Sequence, residues 1–390
     1  MSQEITPDSQ NHHSKSTKIC QNFFKSEAEL SLQIESQIEH FKNLNLKLKK
    51  SFIKNSQKTT AKMTKKLEAL VFDPKRTSYS LFFSPDDFFT TCETLSNESL
   101  RERPVVVGSL RVVCANFSAR EFGISGSMPT AVARSLCADL VVLNTNEEAY
   151  RKKAEQVFGV MDKFSGSVRR EVLSFFEGWF VFNVKDLCSE FTDHQKVTEA
   201  ASNFARKIQA EIFERTGVTL SIGIGPNLRL AKLASQSLVS NSVKVYTRVK
   251  DPTVKLLMSL DVQCVEGIGQ RTGRILKGLG LLTVEDLKKN FHLLACIFPH
   301  DKLETILAES CFYIPEEEEK KEKKERKSVN DSQRFSATKN FNTIQKIIEK
   351  LSSSVWRKLP EDTFPRTISI RIKYEDFKVE KRNRTLKNGF

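Results

Sequence analysis

TLSIGIGPNLRLAKLAS, residues 219–235, begins as a short β-branched apolar run, breaks at Pro226-Asn227 and resumes as a helical pattern, so a strand delivers the chain directly into a helix. Just before it, TEAASNFARKIQAEIFERTG (198–217) reads as a helix stopped by Gly217. Outward toward the N-terminus the alternation continues. YSLFF (79–83) reads as a strand and SPDDFFTTCE (84–93) as a helix start. RPVVVGS (103–109) and RVVCANF (111–117) read as two strands about a tight turn, TAVARSLC (130–137) as a helix and DLVVLN (139–144) as a strand. NEEAYRKKAEQVFGVMDKF (146–164) is an amphipathic helix and VLSFFEGWFVFNV (172–184) reads as paired strands. Interleaving of this kind makes an α+β or α/β body of about 170 residues.

That body is less than half of the chain. At 390 residues the protein exceeds one hydrophobic core and suggests two to four domains. A hydrophobic fraction of 39% with 28% charged residues excludes wholesale disorder. No run approaches the roughly 20 apolar residues of a bilayer span, and the first 18 residues have no apolar signal segment, so an intracellular protein is expected. The eight cysteines are scattered without a CxxC pair, which argues against a zinc module or a disulfide framework; they read as buried thiols. The formal charge of +14 points toward a polyanionic partner. It sits at the two ends: twelve basic against four acidic residues over 14–66, and sixteen against seven over 326–390. Solvated charged faces give the same composition without a ligand.

The regions outside the body have their own patterns. Residues 21–70 place Leu30, Ile34, Ile38 and Phe41 on a narrow stripe among lysines, with no Gly or Pro between Phe23 and Phe72, which predicts one or two long helices lying across something else. VEGIGQRTGRILKGLGLLTVEDLKKN (265–290) is the pattern of a helix–hairpin–helix. Its Gly267-Ile268-Gly269 turn would expose amides at a helix N-terminus to a nucleic-acid phosphate, with Thr272 and Lys277 beside it; a plain hairpin is the competing reading. PEEEEKKEKKER (315–326) has no apolar face and reads as a linker or solvated helix. Beyond it come an amphipathic helix (341–359) and a strand, RTISIRIKYED (366–376), in which Ile368, Ile370 and Ile372 alternate with a face carrying Arg371 and Lys373.

With NFSAREFGISGSMPTAVARSLC, LVVLNTNEEAYRK, GIGPNLRLAKLAS and VEGIGQRTGRIL in this order, the sequence resembles the Y-family translesion DNA polymerases, the kappa type in particular, over nearly its whole length. The resemblance implies a right-hand α+β architecture. It divides the chain into a disordered tail (1–20), an N-terminal helical arm similar to the N-clasp (21–78), palm and fingers (79–260), a thumb with the helix–hairpin–helix (261–314), a charged linker (315–327) and a little-finger domain (328–390). The little finger is expected to be cut short at Phe390.

The resemblance also implies two Mg²⁺ ions held by carboxylates from two palm strands, one activating the primer 3′-hydroxyl and the other clamping the triphosphate. Here the family's first Asp-x-Asp is Ser84 and Asp86, and its Ser-x-Asp-Glu carries Phe176 and Glu177, so of three ligand side chains only Glu177 remains. A shifted alignment offers Asp87. The Tyr-x-x-Arg that holds the triphosphate is Phe117 and Arg120, the ribonucleotide-excluding aromatic is Phe89, and the Lys-Pro-Asn-Gly element is Val239, Ser240, Asn241 and Ser242. Simpler readings stand beside these: Asp86 and Asp87 as first-turn acids of a helix, Glu177 as a lone satisfied carboxylate, Arg120 paired with Glu121 or Asp86. The expectation is a nuclear, monomeric, non-membrane homologue that binds primer–template DNA and, if active, a deoxynucleoside triphosphate. The alternative is an inactive DNA-binding or scaffold protein of polymerase ancestry.

Overall fold

The computed structural model describes residues 7–165, 169–170, 174–236, 240–248, 250–314, 328–333, 335, 338–359, 364–374 and 378–385. The charged linker expected over 315–327, and Val239, lie outside them. The described helices are α1 (Pro7–Leu46), α2 (Lys50–Val71), α3 (Phe88–Ser96), α4 (Phe117–Glu121), α5 (Thr130–Leu136), α6 (Glu147–Ser165), α7 (His194–Thr216), α8 (Leu228–Ser235), α9 (Lys250–Met258), α10 (Gln270–Gly278), α11 (Val284–Lys289), α12 (Phe291–Ile297), α13 (His300–Ser310) and α14 (Phe341–Arg357). The strands are β1 (Ser78–Pro85), β2 (Val105–Val107), β3 (Cys114–Ala115), β4 (Val141–Leu143), β5 (Arg169–Arg170), β6 (Gly178–Asn183), β7 (Leu220–Gly225), β8 (Val243–Val245), β9 (Thr367–Lys373) and β10 (Val379–Thr385). Residues 30–319 form one compact unit, and residues 1–29 with 320–390 form another.

The larger unit is built on a five-stranded sheet in the order β5-β6-β1-β7-β8. β1 lies antiparallel between β6 and β7, and β8 runs parallel to β7. Tyr79, Leu81 and Phe83 enter a core with Phe158 of α6 and Ile208 and Ile212 of α7, while Phe82 packs with Trp179 and Ala231. Each such side chain contributes about 1.5–3 kcal/mol on burial. The glycines of the GIG run are explained by α8, which lies directly on β7. A Cβ at Gly223 would sit 1.9 Å from the Ala231 carbonyl oxygen, and one at Gly225 2.7 Å from the Ala231 nitrogen. A second sheet, β3-β2-β4, has its own small core around Val106, Val112, Ile124 and Ala133, with α4 and α5 against it. This is the α+β arrangement of a palm with fingers.

A second core, formed by α2 and α9–α13 with Leu230 and Ala234 of α8 also in it, makes the thumb, with Val71, Phe72, Leu276, Leu287 and Leu294 inside it. Arg229 of α8 ties palm to thumb, paired with Glu266 and with Glu309, the latter at 2.8 Å. The expected arm is two helices. α1 already runs from Pro7, so residues 7–20 are helical where the sequence suggested a disordered tail; with neither Gly nor Pro from 8 to 46, nothing interrupts the helix. Ile34 is buried and Ile38 fills the space above Gly278, while Arg271 and Arg274 of α10 donate to Gln37 Oε1 and Ser31 Oγ at 3.3 and 2.8 Å. α2 belongs to the thumb itself: its Glu68 pairs with Lys288 at 3.0 Å, both largely buried.

In the smaller unit, Asn340 caps α14 by accepting from Asn342 N and Thr343 N. Asp331 accepts from Ser354 and pairs with Lys358 at 3.1 Å. These contacts, the Ser354 hydrogen bond first, hold its carboxyl down at about 2. β9 and β10 form an antiparallel hairpin. β10 was not apparent in the sequence because VEKRNRT has almost no apolar alternation.

Candidate active site and nucleic-acid interface

The end of β1 and the residue before β6 meet by register. Phe83 pairs with Gly178, which brings Ser84 beside Glu177, and the Ser84 hydroxyl donates to Glu177 Oε1 at 2.9 Å. The two positions expected to converge on a metal do converge, but one is a hydroxyl whose hydrogen bond occupies the other. Phe175 and Phe176 lie in a bend, not in the strand expected over 172–184. Phe176 stacks on Phe88 at 4.7 Å between ring centroids and 16° between planes, and meets Phe89 edge-on at 5.3 Å. Phe89 in turn contacts Tyr150, whose hydroxyl donates to Glu93 at 2.5 Å. Burial, then that bond to Glu93, pushes the Tyr150 hydroxyl up, well above its ordinary range. Arg151 covers Phe175 at 4.8 Å. An aromatic cluster therefore stands where the second palm carboxylate was expected.

Asp86 and Asp87, adjacent in sequence, diverge. Asp86 accepts from Ser221 Oγ at 2.8 Å and from the Asn241 amide at 2.6 Å, fastening β1 to β7 and to the turn before β8. Asp87 has φ 46° and ψ 39°, a left-handed conformation that aspartate tolerates. Its carboxylate pairs with Arg120, which also donates to the Ala115 carbonyl at 2.9 Å. The Asp87 hydrogen bond pushes the Arg120 guanidinium further up, so the group is a permanent cation. Arg120 is thus paired neither with Glu121 nor with Asp86. Phe117, from the same helix, is exposed at 64%. Among the described residues no group of three or more His, Cys, Asp or Glu side chains is placed to hold a metal ion. A pair of Mg²⁺ ions requires several oxygen ligands, and one carboxylate already bonded to serine, with two others committed elsewhere, does not fit them.

The thumb hairpin presents its glycines outward. Gly267 has φ +89°, and a Cβ at either Gly267 or Gly269 would meet nothing within 4 Å. Gly269 is the N-cap of α10 and supplies no side-chain cap, so the first-turn amides, Thr272 among them, have no side-chain partner. Lys277 is not part of this end. It lies about 10 Å further along the helix, paired with Asp261 at 2.6 Å and donating to Gln263 Oε1 at 2.9 Å.

On the hairpin of the smaller unit, Arg371 is directly opposite Lys381, and Lys373 opposite Val379. Lys381 was missed with β10 itself; its signal is the pairing, not the composition. Like charges facing each other across a ladder are unfavourable unless an anion lies over them. On α2, Lys50, Lys54, Lys58, Lys62, Lys65 and Lys66 are all exposed. Of the cysteines whose side chains are described, Cys92, Cys137 and Cys311 are buried, whereas Cys114, Cys188, Cys264 and Cys296 are partly exposed, and all seven are free thiols.

A sheet-based palm, a small fingers subdomain and a hairpin-bearing thumb are the fold of the right-hand polymerases. Residues 85–236 match the impB/mucB/samB family and residues 326–389 match its C-terminal domain. The chain belongs to this family, the Y family of DNA polymerases. It is 26% identical to DNA polymerase kappa of Arabidopsis thaliana over 95% of its own length and 53% of that protein's, so it spans about half of that relative. It is 29% identical to DNA polymerase IV of Francisella tularensis subsp. holarctica, covering 77% of this chain and 83% of the other. Among solved structures, a Y-family DNA polymerase chimera shares the fold at a TM-score of 0.61 and 24% identity, covering 80% of this chain and 88% of that one. DinB from Sulfolobus solfataricus does so at 0.51 and 23%, with the same coverage. Among the described residues no helix is long and apolar enough to cross a membrane.

Proposed function

We propose that this chain holds primer–template DNA as a Y-family homologue of the translesion polymerases, and that nucleotide transfer by it is weak or absent. One observation carries the second half: Phe176 is stacked on Phe88 where a carboxylate is needed, and Glu177 is bonded to Ser84. Loss of two of three ligand carboxylates removes several kcal/mol of transition-state stabilisation, about 10³-fold or more in rate. Binding to DNA draws on different residues, the amides after Gly267 and Gly269 and the cations Arg371, Lys373 and Lys381, and it is independent of the palm chemistry. Family membership favours translesion synthesis and repair as the process served, in the nucleus if the likeness to the eukaryotic kappa type extends to location, with the chain acting as a monomer.

The test is primer extension by the purified chain in Mg²⁺ and in Mn²⁺, with binding of the same primer–template measured by fluorescence anisotropy. DNA binding without extension is the expected result. Extension that disappears in Glu177→Ala would establish a working polymerase instead.

A further inference from the structure

Arg120 has a geometry that suits a phosphate: a planar guanidinium fork, fixed by its bond to the Ala115 carbonyl and still 45% exposed at the side chain. A carboxylate and a phosphate oxygen make the same contact with such a fork. Here the contact is already made from within the chain by Asp87.

The conformation of Asp87 shows that this pairing displaces the residue's ordinary role. Asp87 is the N-cap of α3, where an aspartate normally accepts a hydrogen bond from a first-turn amide. It makes no side-chain cap, and its left-handed backbone carries the carboxylate to Arg120 instead. The neighbouring polar groups are committed as well: Asp86 to Ser221 and Asn241, Ser84 to Glu177.

We propose that Asp87 is an internal anion seated on Arg120 in the place of a ligand phosphate, so that its carboxylate competes with polyphosphates for the guanidinium and weakens their binding there. The inference rests on the reading above only in taking this end of β1 as the family's nucleotide side; it concerns phosphate, not DNA. Arg120 is 45% and Asp87 25% exposed at the side chain, and a pair this exposed is weak, so its removal should strengthen the binding of an external polyanion by a modest factor.

Calorimetric titration of the full chain with inorganic tripolyphosphate, and separately with dCTP, both without divalent metal, tests this. Asp87→Asn keeps the shape and tolerates the left-handed backbone, and Asp87→Gly accepts that backbone freely; thermal unfolding checks that each is folded. Both variants should bind tripolyphosphate at least about fivefold more tightly than the natural chain, and adding Arg120→Gln should abolish the gain. No gain in either folded variant, or a gain that survives Arg120→Gln, would overturn the proposal. Primer–template binding is measured on the same samples: its absence would sink the DNA-binding reading while leaving the phosphate result to stand or fall separately.

Discussion

Phe176 shows how far one residue can decide a site's chemistry. Its ring gains a stacked contact with Phe88 and an edge contact with Phe89, of the kind worth about 0.5–1.5 kcal/mol each beyond area burial, while a hard cation loses an oxygen ligand. Restoring charge should therefore trade stability for metal affinity. Phe176→Asp alone is expected to cost about 1–3 kcal/mol in denaturant unfolding, because a carboxylate would enter the aromatic cluster. Combined with Ser84→Asp, it should create a divalent-cation site with Glu177, detected as Mn²⁺ binding by electron paramagnetic resonance; a folded double variant that binds no Mn²⁺ would mean the backbone has moved as well as the side chains. The departures at Ser84 and Phe176 are legible in the sequence because each ligand motif is contiguous. The partners of Asp86 are not: Ser221 and Asn241 lie 135 and 155 positions away. Nor does spacing tell which of two adjacent acids meets Arg120, since the left-handed turn at Asp87 that decides it leaves no mark in the sequence.

Among the elements, β7 with α8 shows the tightest link from sequence to packing. Gly223→Ala would place a methyl group against the backbone of α8, which unlike a flexible side chain cannot yield, so a loss of about 2 kcal/mol or more is expected in chemical denaturation. Retention of full stability would mean that α8 can shift off the sheet. This unit was readable because a β-branched run, a Pro-Asn break and a helical period follow one another within seventeen residues. β10 was unreadable for the opposite reason: VEKRNRT holds a single apolar residue, whereas β9 keeps its isoleucine alternation although all its residues are exposed as well. α12 adds a pH-dependent contribution. Burial holds the His292 imidazole below the ordinary histidine range, and its Nδ1 has no hydrogen-bond partner. The folded chain thus favours the neutral ring. Its stability is full above the unfolded value near 6.5 and declines as pH falls from there toward the folded value, because only the unfolded chain takes up the proton in that interval. Thermal unfolding between pH 7.5 and 5 should show this decline, and His292→Leu should flatten it.

At the scale of the whole molecule, the two helices of the N-terminal arm have different duties although their composition is alike. The lysine-rich stripe pattern suggested one or two long helices lying across something else. The structure divides it. α1 lies along α10 through Ile34, Ile38, Gln37 and Ser31, whereas α2 closes the thumb core with Val71 and neutralises Lys288 through Glu68. Removing α2 would bare the faces of α11, α12 and α13 that it covers, so a chain beginning at residue 71 should have an unfolded thumb. One beginning at residue 49 should keep its fold. That shorter cut removes Lys42 and Lys47, and each lysine that had neutralised a DNA phosphate should lower the slope of log K against log salt by about 0.9. Lys54, Lys58 and Lys62 of α2 can be tested separately in the full chain, by alanine substitution of all three, without disturbing Glu68 or Val71. If α1 clasps DNA, the cut at 49 weakens primer–template binding and flattens its salt dependence. If only the triple substitution does so, the phosphate-facing surface belongs to the thumb, and α1 serves to brace α10 through Ile34 and Ile38.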